Sequence, residues 1–212
     1  MNYQCIFCQI RAFERLIEDI NIENKLKDSI TKQFISYLNT IDYSMVAPEV
    51  VRNIHILIRK TLNNPDPYKV RKKEHNEFLL NIYPSLKKKI LDSNNPFNTA
   101  LRMSIAGNII DYSISSEFNI LSTIENVLKS KFVIDHSNEL KNEIEKAKTI
   151  LYLGDNAGEI VLDKLFLEMM IDKNIYYAVR GAPVINDVTV EDAEFVKINE
   201  VARIITGAPR TA

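Results

Sequence analysis

The chain has 212 residues, 46% of them hydrophobic and 26% charged, with 27 Lys and Arg against 28 Asp and Glu. That length can bury a core, and that composition excludes wholesale disorder; a net charge of -1 gives no basic field for nucleic acid. No apolar run reaches the roughly 18–20 residues of a membrane span and no leader pattern opens the chain, so the expectation is a cytoplasmic protein with neither membrane nor nucleic-acid partner.

From residue 1 to 147 the pattern is helical. Apolar residues recur at three- and four-residue spacing over 25–38, 50–62, 68–90, 122–129 and, in a more charged form, 139–148. Breaks fall at Ala47-Pro48, at Asn64-Pro65-Asp66-Pro67 and at Asn94-Asn95-Pro96, where proline removes a donor and disfavours helix in the residue before it.

The period changes at 149–154, TILYLG, an apolar and β-branched run closed by a turn and followed by helical spacing in EIVLDKLFLEMMIDK. Further apolar runs at 175–180 and 203–206 are separated by another helical stretch near 190–196. Strands alternating with helices predict an α/β fold with a parallel sheet and right-handed crossovers: a helical region over 1–147 packed on a three-layer, Rossmann-like α/β/α region over 148–212. A sheet of three strands is also expected to leave an edge with exposed apolar surface or a pairing partner there.

Glycine is scarce, five residues in all, and three of them, Gly154, Gly158 and Gly181, fall within 28 positions of the strand-rich half. From Lys148 onward 10 acidic residues outnumber 7 basic ones, a surplus that suits a cation. In an open parallel sheet ligands bind beyond the carboxyl ends of the strands. The first strand ends in Gly154-Asp155-Asn156-Ala157-Gly158-Glu159, and the second is followed by Asn186-Asp187-Val188-Thr189. Asp155, Asn156 and Asp187 together offer two carboxylates and an amide oxygen, a donor set for a hard divalent cation that binds substrate phosphate. The same Asp155 and Asn156 also suit a turn or a helix cap. A nucleotide or S-adenosylmethionine loop is a further reading, but only Gly154 and Gly158 of a G-x-G-x-x-G pattern are present.

Three motifs carry a resemblance: LYLGDNAGEIVLDK at 151–164, VRGAPVINDVTVEDA at 179–193 and NPFNTALRMSIAGNIIDY at 95–112, joined by an N-terminal Cys5-x-x-Cys8. With these the chain resembles the damage-control metal phosphatases, long catalogued as domain of unknown function 89, and most of all their CxxC-bearing prokaryotic branch. The resemblance implies a phosphatase that hydrolyses phosphate monoesters of small metabolites, such as sugar or cofactor phosphates, with Mn, Co, Ni or Mg as cofactor. It places the metal on Asp155, Asn156 and Asp187, which double as the catalytic group, and the substrate beside Asn108, Asp111, Glu159 and Arg180. A late lysine- and glycine-rich phosphate-cradling segment of the family has no counterpart before the chain stops at ITGAPRTA. That departure leads us to expect a C-terminally truncated member, for which a non-catalytic binding role is the alternative.

Cys5 and Cys8 admit a structural, metal-binding or redox reading, and His55, His75 and His136 show no pair spacing that would complete a zinc site. Consecutive helical residues fan over about 200 degrees, so Arg71-Lys72-Lys73 and Lys87-Lys88-Lys89 read as solvated faces. No Gly-x-Ser-x-Gly element is present.

Overall fold

The computed structural model describes residues 1–20, 22–110 and 117–207. Its described residues form two compact units, divided between residues 67 and 68. The first holds α1 (Tyr3–Asp19), α2 (Asn24–Leu38) and α3 (Ala47–Leu62). Its buried side chains include Phe13, Leu16, Ile30, Phe34, Val50, Ile54 and Ile58, and the rings of Phe13 and Phe34 stack with centroids 3.9 Å apart. Pro48 lies in the first turn of α3, where its missing N–H would have had no helical partner.

The second unit opens with α4 (Lys69–Leu91), α5 (Pro96–Ile109), α6 (Glu117–Lys129) and α7 (Ser137–Lys146). It continues as β1 (Thr149–Leu153), α8 (Glu159–Leu167), β2 (Asn174–Val179), α9 (Val190–Phe195) and β3 (Arg203–Thr206). Helix gives way to strand where the period changes, but compactness divides the chain at 67/68. The expected partition at 147/148 is therefore a change of secondary structure inside one body, because α4, α5 and α6 share a hydrophobic core with the sheet.

The sheet is parallel throughout, in the order β1-β2-β3, with Tyr152 opposite Tyr177 and Tyr177 opposite Ile204. Side chains alternate across a strand, so Ile150, Tyr152, Ile175, Tyr177, Val179 and Ile204 share one face, and all belong to the core with α5 and α8. On the opposite face Leu151 and Leu153 are 61% and 72% exposed. These leucines lie on the sheet's face, not along the edge at which apolar exposure or pairing is expected.

Helix α8 is the centre of the unit, with every residue from Ile160 to Leu167 buried. Apolar residues all round a helix leave it no solvent face. Its two buried charged residues are paired: Lys164 donates to the Val196 carbonyl and to Glu200, and Asp163 lies in a buried hydrogen-bonded cluster described below. No helix among the described residues is long and apolar enough to cross a membrane.

Candidate functional site at the carboxyl ends of β1 and β2

The chain leaves β1 through Gly154, whose N–H donates to the Ala178 carbonyl at 3.0 Å and so extends the ladder by one bond. A Cβ at this position would stand 2.4 Å from the Tyr177 ring, closer than atoms can approach, so only glycine lets the strand turn here. Residues 155–157 then pair with 186–188. Val188 N–H donates to the Asp155 carbonyl and Ala157 N–H to the Asn186 carbonyl, both at 2.8 Å, with Asn156 and Asp187 forming an antiparallel bridge. Backbone hydrogen bonds thus bring Asp155, Asn156 and Asp187 together at the mouth of the sheet, although 31 positions separate Asn156 from Asp187 in sequence.

Gly158 caps α8 with φ +84°, a left-handed geometry that disfavours any side chain. Glu159 opens the helix, and its Oε2 accepts hydrogen bonds from Asn108 Nδ2 (3.0 Å), Asn156 Nδ2 (3.1 Å) and Asn156 N–H (3.3 Å). Asn108 Nδ2 also donates to Asp155 Oδ2 at 3.2 Å. The end of α5 can come this near because its preceding residue is Gly107, where a Cβ would lie 2.9 Å from Glu159 Cα. Arg180, just beyond β2, donates through Nε to Asp187 Oδ2 at 2.6 Å. Asn108, Asp155, Asn156, Glu159, Arg180 and Asp187 are therefore linked; Asp111 lies outside the described residues.

Burial raises the Asp187 carboxyl above the usual range, Arg180 opposes that rise, and the nearby Asp155 adds to it. Burial likewise raises Glu159; the amides of Asn108 and Asn156 counteract it, and Asp155 again pushes upward. The Asp155 charge thus bears on both Asp187 and Glu159, and carboxylates gathered in this way favour a cation among them. No group of three or more His, Cys, Asp or Glu among the described residues is placed to hold a metal. The oxygen donors a metal would have here are those of Asp155, Asp187 and the Asn156 amide. Asn156 donates through its Nδ2 to Glu159, which leaves that oxygen as an acceptor, so the donor set fits a hard divalent ion.

Two features escaped the sequence reading. Asp163, wholly buried in α8, accepts hydrogen bonds from Ser104 Oγ (2.6 Å), Tyr152 OH (2.7 Å) and Tyr177 OH (2.8 Å), and burial pushes its carboxyl up to about 7. The signal was an Asp-Lys pair inside an otherwise apolar helix. Lys72, expected on a solvated face, is instead 1% exposed and forms an ion pair with Asp192 at 2.9 Å. Its two neighbours Arg71 and Lys73 made it read as surface, and only the tertiary fold distinguishes it.

A parallel sheet at whose strand ends loops and helix ends bring together two aspartates, a glutamate and two asparagines makes an α/β protein with an oxygen-rich acidic site. The chain belongs to the damage-control phosphatase ARMT1-like domain family, whose model matches residues 1–211. It is 32% identical to an uncharacterized protein of Methanocaldococcus jannaschii, over 96% of this chain and 69% of that one. It is 29% identical to a damage-control phosphatase of Pyrococcus horikoshii, over 99% of this chain and 74% of the other. The crystal structure of a DUF89 family protein from Pyrococcus horikoshii superposes with a TM-score of 0.85 at 26% identity, with the same two coverages, 99% and 74%.

Proposed function

We propose that the protein is a metal-dependent phosphatase acting on phosphate monoesters of small metabolites, with Asp155, Asn156 and Asp187 as the metal ligands. The observation that most supports this reading is the backbone pairing of 155–157 with 186–188, which brings the segments bearing Asp155, Asn156 and Asp187 side by side beyond the strands. Relatives named damage-control phosphatases support the reaction class. Bound there, Mn, Co, Ni or Mg would supply Lewis-acid polarisation of the phosphoryl group and neutralise its charge.

The chain's own residues account for the rest. Arg180 spends its Nε on Asp187, and its terminal guanidinium nitrogens remain for phosphoryl oxygens. Asn108 and Glu159 hold Asp155 and Asn156 in place. The Asp155 carboxylate starts the displacement in one of two ways. It takes the proton of an attacking water and returns it to the ester oxygen as the P–O bond breaks. Or it attacks phosphorus itself, the ester oxygen leaving with a proton from solvent water, after which a second water hydrolyses the aspartyl phosphate and restores the carboxylate.

Protein stripped of metal should bind Mn(II) in a calorimetric titration and hydrolyse p-nitrophenyl phosphate only when loaded. Asp155→Asn removes a charge while keeping shape, and should weaken binding. Unchanged affinity in that variant would take Asp155 off the ligand set.

A further inference from the structure

Helix α4 carries two buried polar side chains among its described residues, Lys72 and Asn76, one turn apart and therefore on one face. Each reaches a different one of the two loops that make the site. Asn76 Oδ1 accepts the Gly158 N–H at 2.7 Å, which ties down the loop bearing Asp155 and Asn156. Lys72 Nζ donates to Asp192 Oδ2 at 2.9 Å. That same oxygen accepts from Thr189 N–H (2.9 Å) and Thr189 Oγ1 (2.7 Å), closing the turn two residues after Asp187.

Both attachments carry a cost that packing does not explain. Asn76 is 0% exposed, and its Nδ2 has no hydrogen-bond partner among the described residues. A buried donor left unmet destabilises a fold, and so does a buried ion pair compared with apolar side chains of the same size. Leucine and methionine at these two positions would satisfy the core more simply.

Resting on the metal-phosphatase reading above, we infer that Lys72 and Asn76 are positioning residues: one turn of α4 acts as a clamp that holds the Asp155–Asn156 loop and the Asp187 loop in register for a shared cation. Neither residue is placed to touch substrate. They act through the Gly158 amide and the Asp192–Thr189 turn, as outer-shell groups orient ligands in metal sites, and the Lys72 charge also reaches Asp187.

The test uses the whole chain, with Mn(II) affinity from the electron paramagnetic resonance of free ion, and with melting temperature and amide exchange measured on the metal-free protein. Asn76→Leu should speed exchange at Gly158 and weaken Mn(II) binding roughly 10- to 100-fold. Lys72→Met paired with Asp192→Asn removes both buried charges while leaving an acceptor for Thr189. It should keep a melting temperature near that of the parent and still lose affinity to a similar extent. Retained affinity in both variants, with the parent binding normally, overturns the clamp alone. A drop in affinity that only tracks a drop in melting temperature also overturns it, since that marks a merely structural role. A parent protein that binds no Mn(II) overturns the metal reading, and the clamp with it.

Discussion

Arg180 Nε lies 2.6 Å from Asp187 Oδ2, so the most buried of the proposed ligand carboxylates is neutralised from the solvent side by an exposed guanidinium. Burial raises the proton affinity of Asp187 and Arg180 opposes it. Removing the guanidinium therefore lets the carboxyl rise further, and metal binding, which needs the ionised form, moves to higher pH. In Arg180→Ala the pH midpoint of Mn(II) binding should shift upward, with affinity well above that midpoint at least as strong as in the parent. Superimposable binding curves from pH 5 to 8 would show that Arg180 does not control Asp187.

Among the described residues Asn108 is the one donor shared by Asp155 and Glu159. Its replacement by leucine leaves two carboxylates facing each other without a mediator, and the displacement geometry suffers. We expect kcat for p-nitrophenyl phosphate to fall by about 10- to 100-fold, and to fall further in Asn108→Asp, where a third negative charge is added. Steady-state kinetics at saturating Mn(II) decides this; an unchanged kcat in both variants would place Asn108 outside the working site.

At Gly154 a methyl group would collide with Tyr177, whose hydroxyl is held by Asp163 and cannot yield. Gly154→Ala should cost about 1–3 kcal/mol or more, the usual range for forcing extra volume into a packed site. Gly207→Ala is the matched control, because nothing stands within 4 Å of its added carbon. Urea denaturation of both variants separates steric conflict from a general effect of losing glycine.

Asp163 sets a stability profile with pH. Its folded carboxyl is raised by burial to about 7 from 3.8, so the protonated form is the one the fold prefers. A raised acid stabilises the native state fully below its unfolded value, and that contribution fades as pH climbs through the folded one. Stability should therefore decline between about pH 4 and about pH 7, and Asp163→Asn, permanently neutral, should flatten the decline. Chemical denaturation midpoints at half-unit pH steps give the measurement. An identical slope in the variant would assign the decline to other groups.

The sequence made the helices and strands legible because their signals are local. Prolines at 48 and 96 marked the first turns of α3 and α5, and the run at 149–153 matched β1 residue for residue. Gly154, Asp155, Asn156 and Asp187 were legible as a group because a strand end has a known chemical use. Asn76, Lys72 and Asp163 were not, because their significance is pairwise: each matters through a partner between 14 and 120 positions away. Nothing in periodicity separates Lys72, which is buried against Asp192, from its surface neighbours in the same basic run. The compact boundary at 67/68 was hidden for the same reason, since helices that join a sheet and helices that join one another share one pattern.

The total enclosure of α8 decides which parts of the site can adapt to a ligand. A rod gripped on every side cannot roll or slide without breaking contacts around its whole circumference, and protein interiors are too densely packed to absorb that. Gly158 and Glu159, at the tip of that rod, form the anvil of the site. Accommodation of ligands of different size is then expected from residues 180–185, where Arg180 is exposed and 182–185 are half-buried, ahead of the stretch 186–189 that hydrogen bonds hold in place. Discrimination among substrates is expected to vary with changes in residues 180–185, while changes in α8 register as stability.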